Sequence, residues 1–128
     1  MDKKKILVVD DEPDFLNLIK MRLEASNYEV LLANNGTDAL NIIKSNKPDA
    51  VILDIMMPGI DGLEVLRQLR KKHKDLPVFI LTAFSNEERF KLADQFNASG
   101  FMVKTGNLKE EVDNINSVLK IADRFKGK

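Results

Sequence analysis

Five short apolar runs punctuate the chain, at Ile6 to Val9, Val30 to Ala33, Ala50 to Leu53, Val78 to Leu81 and Phe101 to Val103. They are rich in β-branched residues and too short for helices, so each predicts a strand. Between them the apolar positions change period. Leu16, Ile19 and Leu23 share one helical face; Ala39, Leu40 and Ile43 share another. The clearest face is the last, where Leu108, Val112, Ile115, Leu119 and Ala122 step by 4, 3, 4 and 3. Helix starts are also legible: Asp61/Glu64, Ser85/Glu88 and Asn107/Glu110 each place a capping side chain three residues before a Glu. Pro13 suits the opening turn of the first helix.

The order is β-α repeated five times, with strands that read as continuous hydrophobic runs rather than alternating ones. Such strands are covered on both faces, which predicts a parallel sheet with helices on each side. The expected architecture is one doubly wound α/β domain over residues 1–128, with no linker, low-complexity segment or repeat. A chain of 128 residues can bury a sizeable core without disulfide or metal staples.

Composition mostly narrows the function. Twenty Lys plus Arg balance twenty Asp plus Glu, so no global basic field argues for nucleic acid or anionic membrane. The chemistry has to come from a local site. Lys3, Lys4 and Lys5 form one basic run, and directly before a hydrophobic strand such charges are usually solubilising. The absence of cysteine excludes disulfides, thiol chemistry and thiolate-bound zinc. No apolar run approaches the ~18 residues of a membrane span, and the N-terminus lacks a signal-peptide core. A soluble, cytoplasmic protein is expected.

Each strand run ends in a polar residue: Asp10, Asn34, Asp54, Thr82 and Lys104. In an open parallel sheet these carboxyl ends share one edge, where ligands bind. Asp10, Asp11, Asp54, Thr82 and Lys104 therefore predict a site. Carboxylates crowded together repel unless they take up protons or a cation holds them ionised, and hard oxygen ligands suit Mg²⁺. Lys104 adds a mobile positive charge and Thr82 a hydroxyl, which together match the needs of an incoming phosphoryl group. Asp54 is the candidate nucleophile, since a carboxylate can form an acyl phosphate. Alone, Asp10-Asp11 reads as a solvated turn that caps the next helix. The complementary set across several strand ends is the specific signal.

The segments ILVVDDEP, VILDIMMPGIDG, ILTA and FMVKTG resemble the signature blocks of the response-regulator receiver domain of two-component signalling, and the resemblance runs over essentially the whole chain. It implies a flavodoxin-like, chemotaxis-regulator-like fold with strand order 2-1-3-4-5. It implies that Asp54 accepts a phosphoryl group from a histidine kinase or phosphotransfer protein. Asp10 and Asp11 then match the acidic pair that holds Mg²⁺ together with Asp54 and the backbone carbonyl of Met56. Thr82 and Lys104 match the switch hydroxyl and phosphate-binding lysine, and Phe101 the aromatic that changes rotamer on activation. The implied output surface, for a downstream protein or a second copy, is formed by the fourth helix, fifth strand and fifth helix. Direct nucleic-acid or membrane binding by this domain is not expected.

The chain departs from the family where Lys104 is followed by Thr105 rather than proline, so that bond is either a cis non-proline bond or a rerouted trans one. Met56 and Phe84 match positions that tune dephosphorylation, and both are bulky and apolar, which predicts slow loss of the phosphoryl group. The remaining candidates have plainer readings: Asp61 as a helix cap, His73 as a surface residue, Phe96 as core. Two other functions stay open, a pseudo-receiver that only binds a partner and a Mg²⁺-dependent phosphohydrolase using an aspartyl phosphate. The latter would need a second acid two residues after Asp54, where Met56 stands. The chain ends soon after the fifth helix, which predicts a stand-alone regulator or a domain cut from a longer protein; without that general acid, a turnover enzyme is not expected.

Overall fold

Strands form where the apolar runs lie, and each begins or ends within one residue of its run. In the computed structural model, which describes residues 3–83 and 86–126 with side chains as far as Ala122, they are β1 (Lys5–Val9), β2 (Glu29–Ala33), β3 (Ala50–Leu53), β4 (Val78–Thr82) and β5 (Gly100–Val103). The helices α1 (Pro13–Ala25), α2 (Gly36–Asn46), α3 (Gly62–Lys72), α4 (Glu87–Gln95) and α5 (Leu108–Lys126) alternate with them. The strands pair in parallel in the order β2-β1-β3-β4-β5. This is the doubly wound α/β sheet expected from the continuous apolar strands.

The two-residue pleat divides every strand between two cores. Leu7, Val9, Val51, Leu53, Val78 and Ile80 face one side, with Ile43 of α2, Leu66 of α3 and Ala93 of α4. Ile6, Val8, Ile52, Phe79 and Leu81 face the other, with Ile19 of α1 and Ile115 of α5. The α5 stripe read from the sequence packs there: Val112, Ile115 and Leu119 are buried, and Leu108 and Ala122 half-buried.

Caps set the helix starts. Asp61 Oδ1 accepts from the Glu64 N–H at 2.9 Å and Asn107 Oδ1 from the Glu110 N–H at 3.1 Å, as expected. The reciprocal half of the box is redirected at α3, because the Arg67 guanidinium takes the Glu64 carboxylate in two hydrogen bonds of 2.6 and 3.0 Å. At α4 the cap is Asn86, whose Oδ1 accepts from the Arg89 N–H at 2.8 Å. Ser85, the expected cap, lies outside the described residues. The one-residue shift lets Asn86 cap and places both Glu87 and Glu88 in the first turn, where negative charge is favoured. Asn35 caps α2 through the Asp38 N–H, a start that the capping-box pattern does not reveal because no Glu follows at the third residue.

Gly62 determines how closely α3 approaches β3. A Cβ there would collide with the Asp54 carbonyl oxygen and stand 2.6 Å from Ile55 Cα. Only a bare backbone fits against the segment that carries Asp54.

Candidate functional site

The parallel ladder runs one residue past the strand ends and delivers the polar residues to a common edge. The Asp10 N–H donates to Ala33 O at 3.1 Å, the Asp54 N–H to Val9 O at 2.9 Å, and the Lys104 N–H to Thr82 O at 2.8 Å. The second of these bonds seats Asp54 beside the chain entering Asp10. The third seats Lys104 beside Thr82.

Asp10 and Asp54 are held in the same way. Asp10 Oδ1 accepts from the Glu12 N–H at 2.9 Å, and Asp54 Oδ1 accepts from the Met56 N–H at 3.0 Å. Each is a local side-chain turn that ties down one carboxylate oxygen and leaves the other to point elsewhere. Both free oxygens face the Lys104 ammonium, at 2.5 Å from Asp10 Oδ2 and 3.7 Å from Asp54 Oδ2. Asp10 is 2% exposed, Asp54 5% and Thr82 0%, so this charge cluster is largely withdrawn from water.

Burial dominates the ionisation of Asp10 and pushes its carboxyl up to about 6, against the pull of the Lys104 hydrogen bond and charge and of the Glu12 N–H, which lower it. For Lys104, burial is again the largest influence and acts to lower it. Its contacts with Asp10, Asp54 and Glu12 together outweigh burial and raise it, so the ammonium is firmly charged.

Asp11 is exposed beside Asp10. Ligand oxygens of Asp10, Asp11 and Glu12 lie within 4.8 Å of one another. Three carboxylates offering hard oxygens at this spacing suit a Mg²⁺ ion. The strand-end pattern does not single out Glu12, although it directly follows the acid pair; its carboxylate also lies 3.5 Å from the Lys104 Nζ. Nor does any motif announce Phe15. Its ring lies under the Lys104 ammonium, 4.2 Å from Nζ to centroid, in a cation–π contact.

Among the described residues no peptide bond is cis. Lys104–Thr105 is therefore the trans alternative, and the lysine still reaches both carboxylates. Phe101 on β5 is half-buried and meets Phe90 of α4 edge-on, with centroids 5.5 Å apart. Phe96 packs against the core on the α4 side. His73 is half-buried at the α3 C-cap, away from the carboxylates, with its N–H on Leu69 O and its carbonyl accepting from Arg70. Asn34, though at a strand end, is exposed and bonds to Asn35. Phe84 lies outside the described residues.

Five parallel strands in this order, with buried acids and a lysine at their carboxyl edge, define a receiver. The chain belongs to the response regulator receiver domain family, which residues 6–116 match. It is 38% identical over 117 residues to the alkaline phosphatase synthesis transcriptional regulatory protein PhoP of Bacillus subtilis (strain 168), covering 91% of this chain and 49% of that protein. It is 40% identical over 123 residues to the probable transcriptional regulator ycf27 of Porphyra purpurea, covering 96% of this chain and 50% of that protein. The chain thus spans about half the length of the curated relatives it matches.

Among solved structures, the response regulator TrrA of Thermotoga maritima in complex with Mg²⁺-BeF is 44% identical with a TM-score of 0.78, covering 89% of this chain and 97% of that one. The chemotaxis protein CheY4 of Vibrio cholerae is 27% identical with a TM-score of 0.83, covering 91% and 99%. Receivers generally bind Mg²⁺ at an acidic pocket, and response regulators work between sensor kinases and downstream effectors. Of these relatives, PhoP is a transcriptional regulatory protein and ycf27 a probable transcriptional regulator. Among the described residues no helix is long and apolar enough to cross a membrane.

Proposed function

We propose that this chain is a phosphorylation-controlled switch, one receiver domain over 1–128, whose Asp54 accepts a phosphoryl group from the phosphohistidine of a partner kinase or phosphotransfer protein. The observation that carries this reading is the convergence of the free Asp10 and Asp54 oxygens on one buried ammonium at the sheet's carboxyl edge. In the transfer, an Asp54 oxygen bonds to phosphorus in line as the phosphorus–nitrogen bond breaks, and the electron pair leaves with the imidazole. The Met56 N–H orients the attacking carboxylate through its Oδ1. Lys104 shifts from the carboxylates to the phosphoryl oxygens, and Thr82, buried at the end of β4, offers its hydroxyl to another. Asp10, Asp11, Asp54 and the Met56 carbonyl would hold Mg²⁺, with Glu12 close by. Bound there, the ion would offset the charge that the carboxylates and the incoming phosphoryl group bring together.

Phe101 then couples the site to α4, β5 and α5. Phe90 is 53% exposed and Val103 is also exposed, an apolar surface beside the Phe90–Phe101 pair that suits a protein target or a second copy. A cytoplasmic setting, facing a sensor kinase, accords with this role. The test is intact-protein mass after treatment with acetyl phosphate and Mg²⁺. Wild type is expected to gain one phosphoryl group and Asp54→Asn none. If neither gains one under saturating donor, the phosphorylation-independent pseudo-receiver replaces this reading. Lys104 standing 3.7 Å from Asp54 Oδ2, with the Lys104–Thr105 bond trans, supports the phosphorylated reading over that alternative.

A further inference from the structure

We propose that Glu111 is a positioning residue for Lys104, acting through the β5–α5 loop; the inference rests on Lys104 being the phosphate-binding cation. Glu111 falls three residues after Leu108 and four before Ile115, within the stripe that α5 turns to the core. An apolar side chain is expected there, yet a carboxylate occupies the place and is 5% exposed. A buried carboxylate is tolerated only when hydrogen-bonded. Glu111 Oε2 accepts from the Thr105 N–H at 2.9 Å and the Gly106 N–H at 3.2 Å.

Both donors lie ahead of the Asn107 cap, so the carboxylate reaches back over the helix start to hold the loop. Gly106, at a φ of 85°, supplies the left-handed turn that brings the two N–H groups onto one acceptor. Thr105 Oγ1 accepts from the Asn107 N–H at 3.1 Å and completes the loop.

The consequence for Lys104 is geometric. The peptide before it is tied to β4 by its own N–H on Thr82 O, and the peptide after it is tied to Glu111 by the Thr105 N–H. With both flanking peptides pinned, the direction of the Lys104 side chain is set, and the ammonium reaches Asp10 and Asp54. Proline at the position after the lysine would have no N–H to offer. Thr105 has one, and Glu111 is its acceptor, so the two residues form a matched pair.

The experiment is a double-mutant cycle of Glu111→Leu with Lys104→Ala, reading the rate of phosphorylation by acetyl phosphate at saturating Mg²⁺. Glu111→Leu is expected to slow wild type roughly tenfold, as misplacement of a charge-stabilising group does, and to have no further effect once Lys104 is alanine. Glu111→Gln, whose amide oxygen can still accept, is expected to stay within about twofold of wild type. Equal slowing by Glu111→Leu in both backgrounds would overturn the proposal, since a merely structural role is indifferent to Lys104. A second arm needs no phosphorylation: side-chain order of the Lys104 ammonium and amide exchange of Thr105 and Gly106, by NMR on the metal-free protein. Glu111→Leu should loosen all three and Glu111→Gln none; if Glu111→Leu does not fold, Glu111→Ala replaces it in both arms. An unchanged Lys104 ammonium overturns the proposal even if wild type is phosphorylated. Loosening in Glu111→Leu, together with a wild type that takes no phosphoryl group, upholds the positioning while refuting the proposed function.

Discussion

Lowering the pH from 7 to 5 is expected to weaken Mg²⁺ binding about tenfold. The ion needs Asp10 ionised, and burial holds that carboxyl up to about 6. The apparent dissociation constant is multiplied by one plus the ratio of protonated to ionised Asp10. That factor is about 1.1 at pH 7 and about 11 at pH 5, a difference of roughly 1.4 kcal/mol. Folding should show the opposite sign in the metal-free protein. Because the folded-state value lies above the ordinary 3.8, the contribution from Asp10 is fully present below about pH 4 and is lost as the pH rises through about 6. The loss is on the order of 3 kcal/mol, from a shift of 6 minus 3.8 at about 1.36 kcal/mol per pH unit. Lys104→Ala removes a hydrogen bond and a charge that both lower Asp10, so the midpoint of the affinity profile should move to higher pH. At pH 8 and above the same variant should bind Mg²⁺ more tightly, because the ammonium 2.5 Å from Asp10 Oδ2 no longer competes. Calorimetric titration with Mg²⁺ at several pH values reads both effects. An affinity that changes less than about twofold between pH 7 and 5, or a midpoint that does not move in Lys104→Ala, would refute the account of Asp10.

Gly62→Ala forces a methyl group against the backbone of Asp54 and Ile55, and is expected to cost about 2 kcal/mol or more in denaturant unfolding; a cost below about 0.5 kcal/mol would mean that α3 does not sit where described. Ile115→Ala empties a fully buried position between α5 and the sheet, with an expected loss of about 2 to 5 kcal/mol and little change in acetyl-phosphate labelling of the protein that remains folded. Once the donor is removed, phosphorylated wild type in Mg²⁺ should lose its label over minutes or longer, because Met56 and Phe84, which by their place in the sequence resemble the family's dephosphorylation-tuning positions, are both bulky and apolar. Complete loss within seconds, followed by intact mass, would count against that reading.

The sequence by itself determined the elements, their alternation and the faces they bury, because hydrophobic period and short apolar length are local properties of the chain. The run from Ala50 to Leu53 carries its own limits, and they are the limits of β3. The strand-end acids, hydroxyl and lysine were legible for the same reason, since a parallel sheet carries every strand end to one edge. Tertiary structure decided what those residues do to one another. That Lys104 lies at 2.5 Å from Asp10 and 3.7 Å from Asp54, over the ring of Phe15, depends on contacts between distant parts of the chain, 94 residues apart for the Asp10 pair. No spacing along the chain encodes them. Glu111 is legible only in part: its spacing from Leu108 and Ile115 sets a charge on the apolar stripe, but no spacing names its partners. Only when α5 packs against the sheet does its carboxylate become buried, and only then must the Thr105 and Gly106 N–H groups come to meet it.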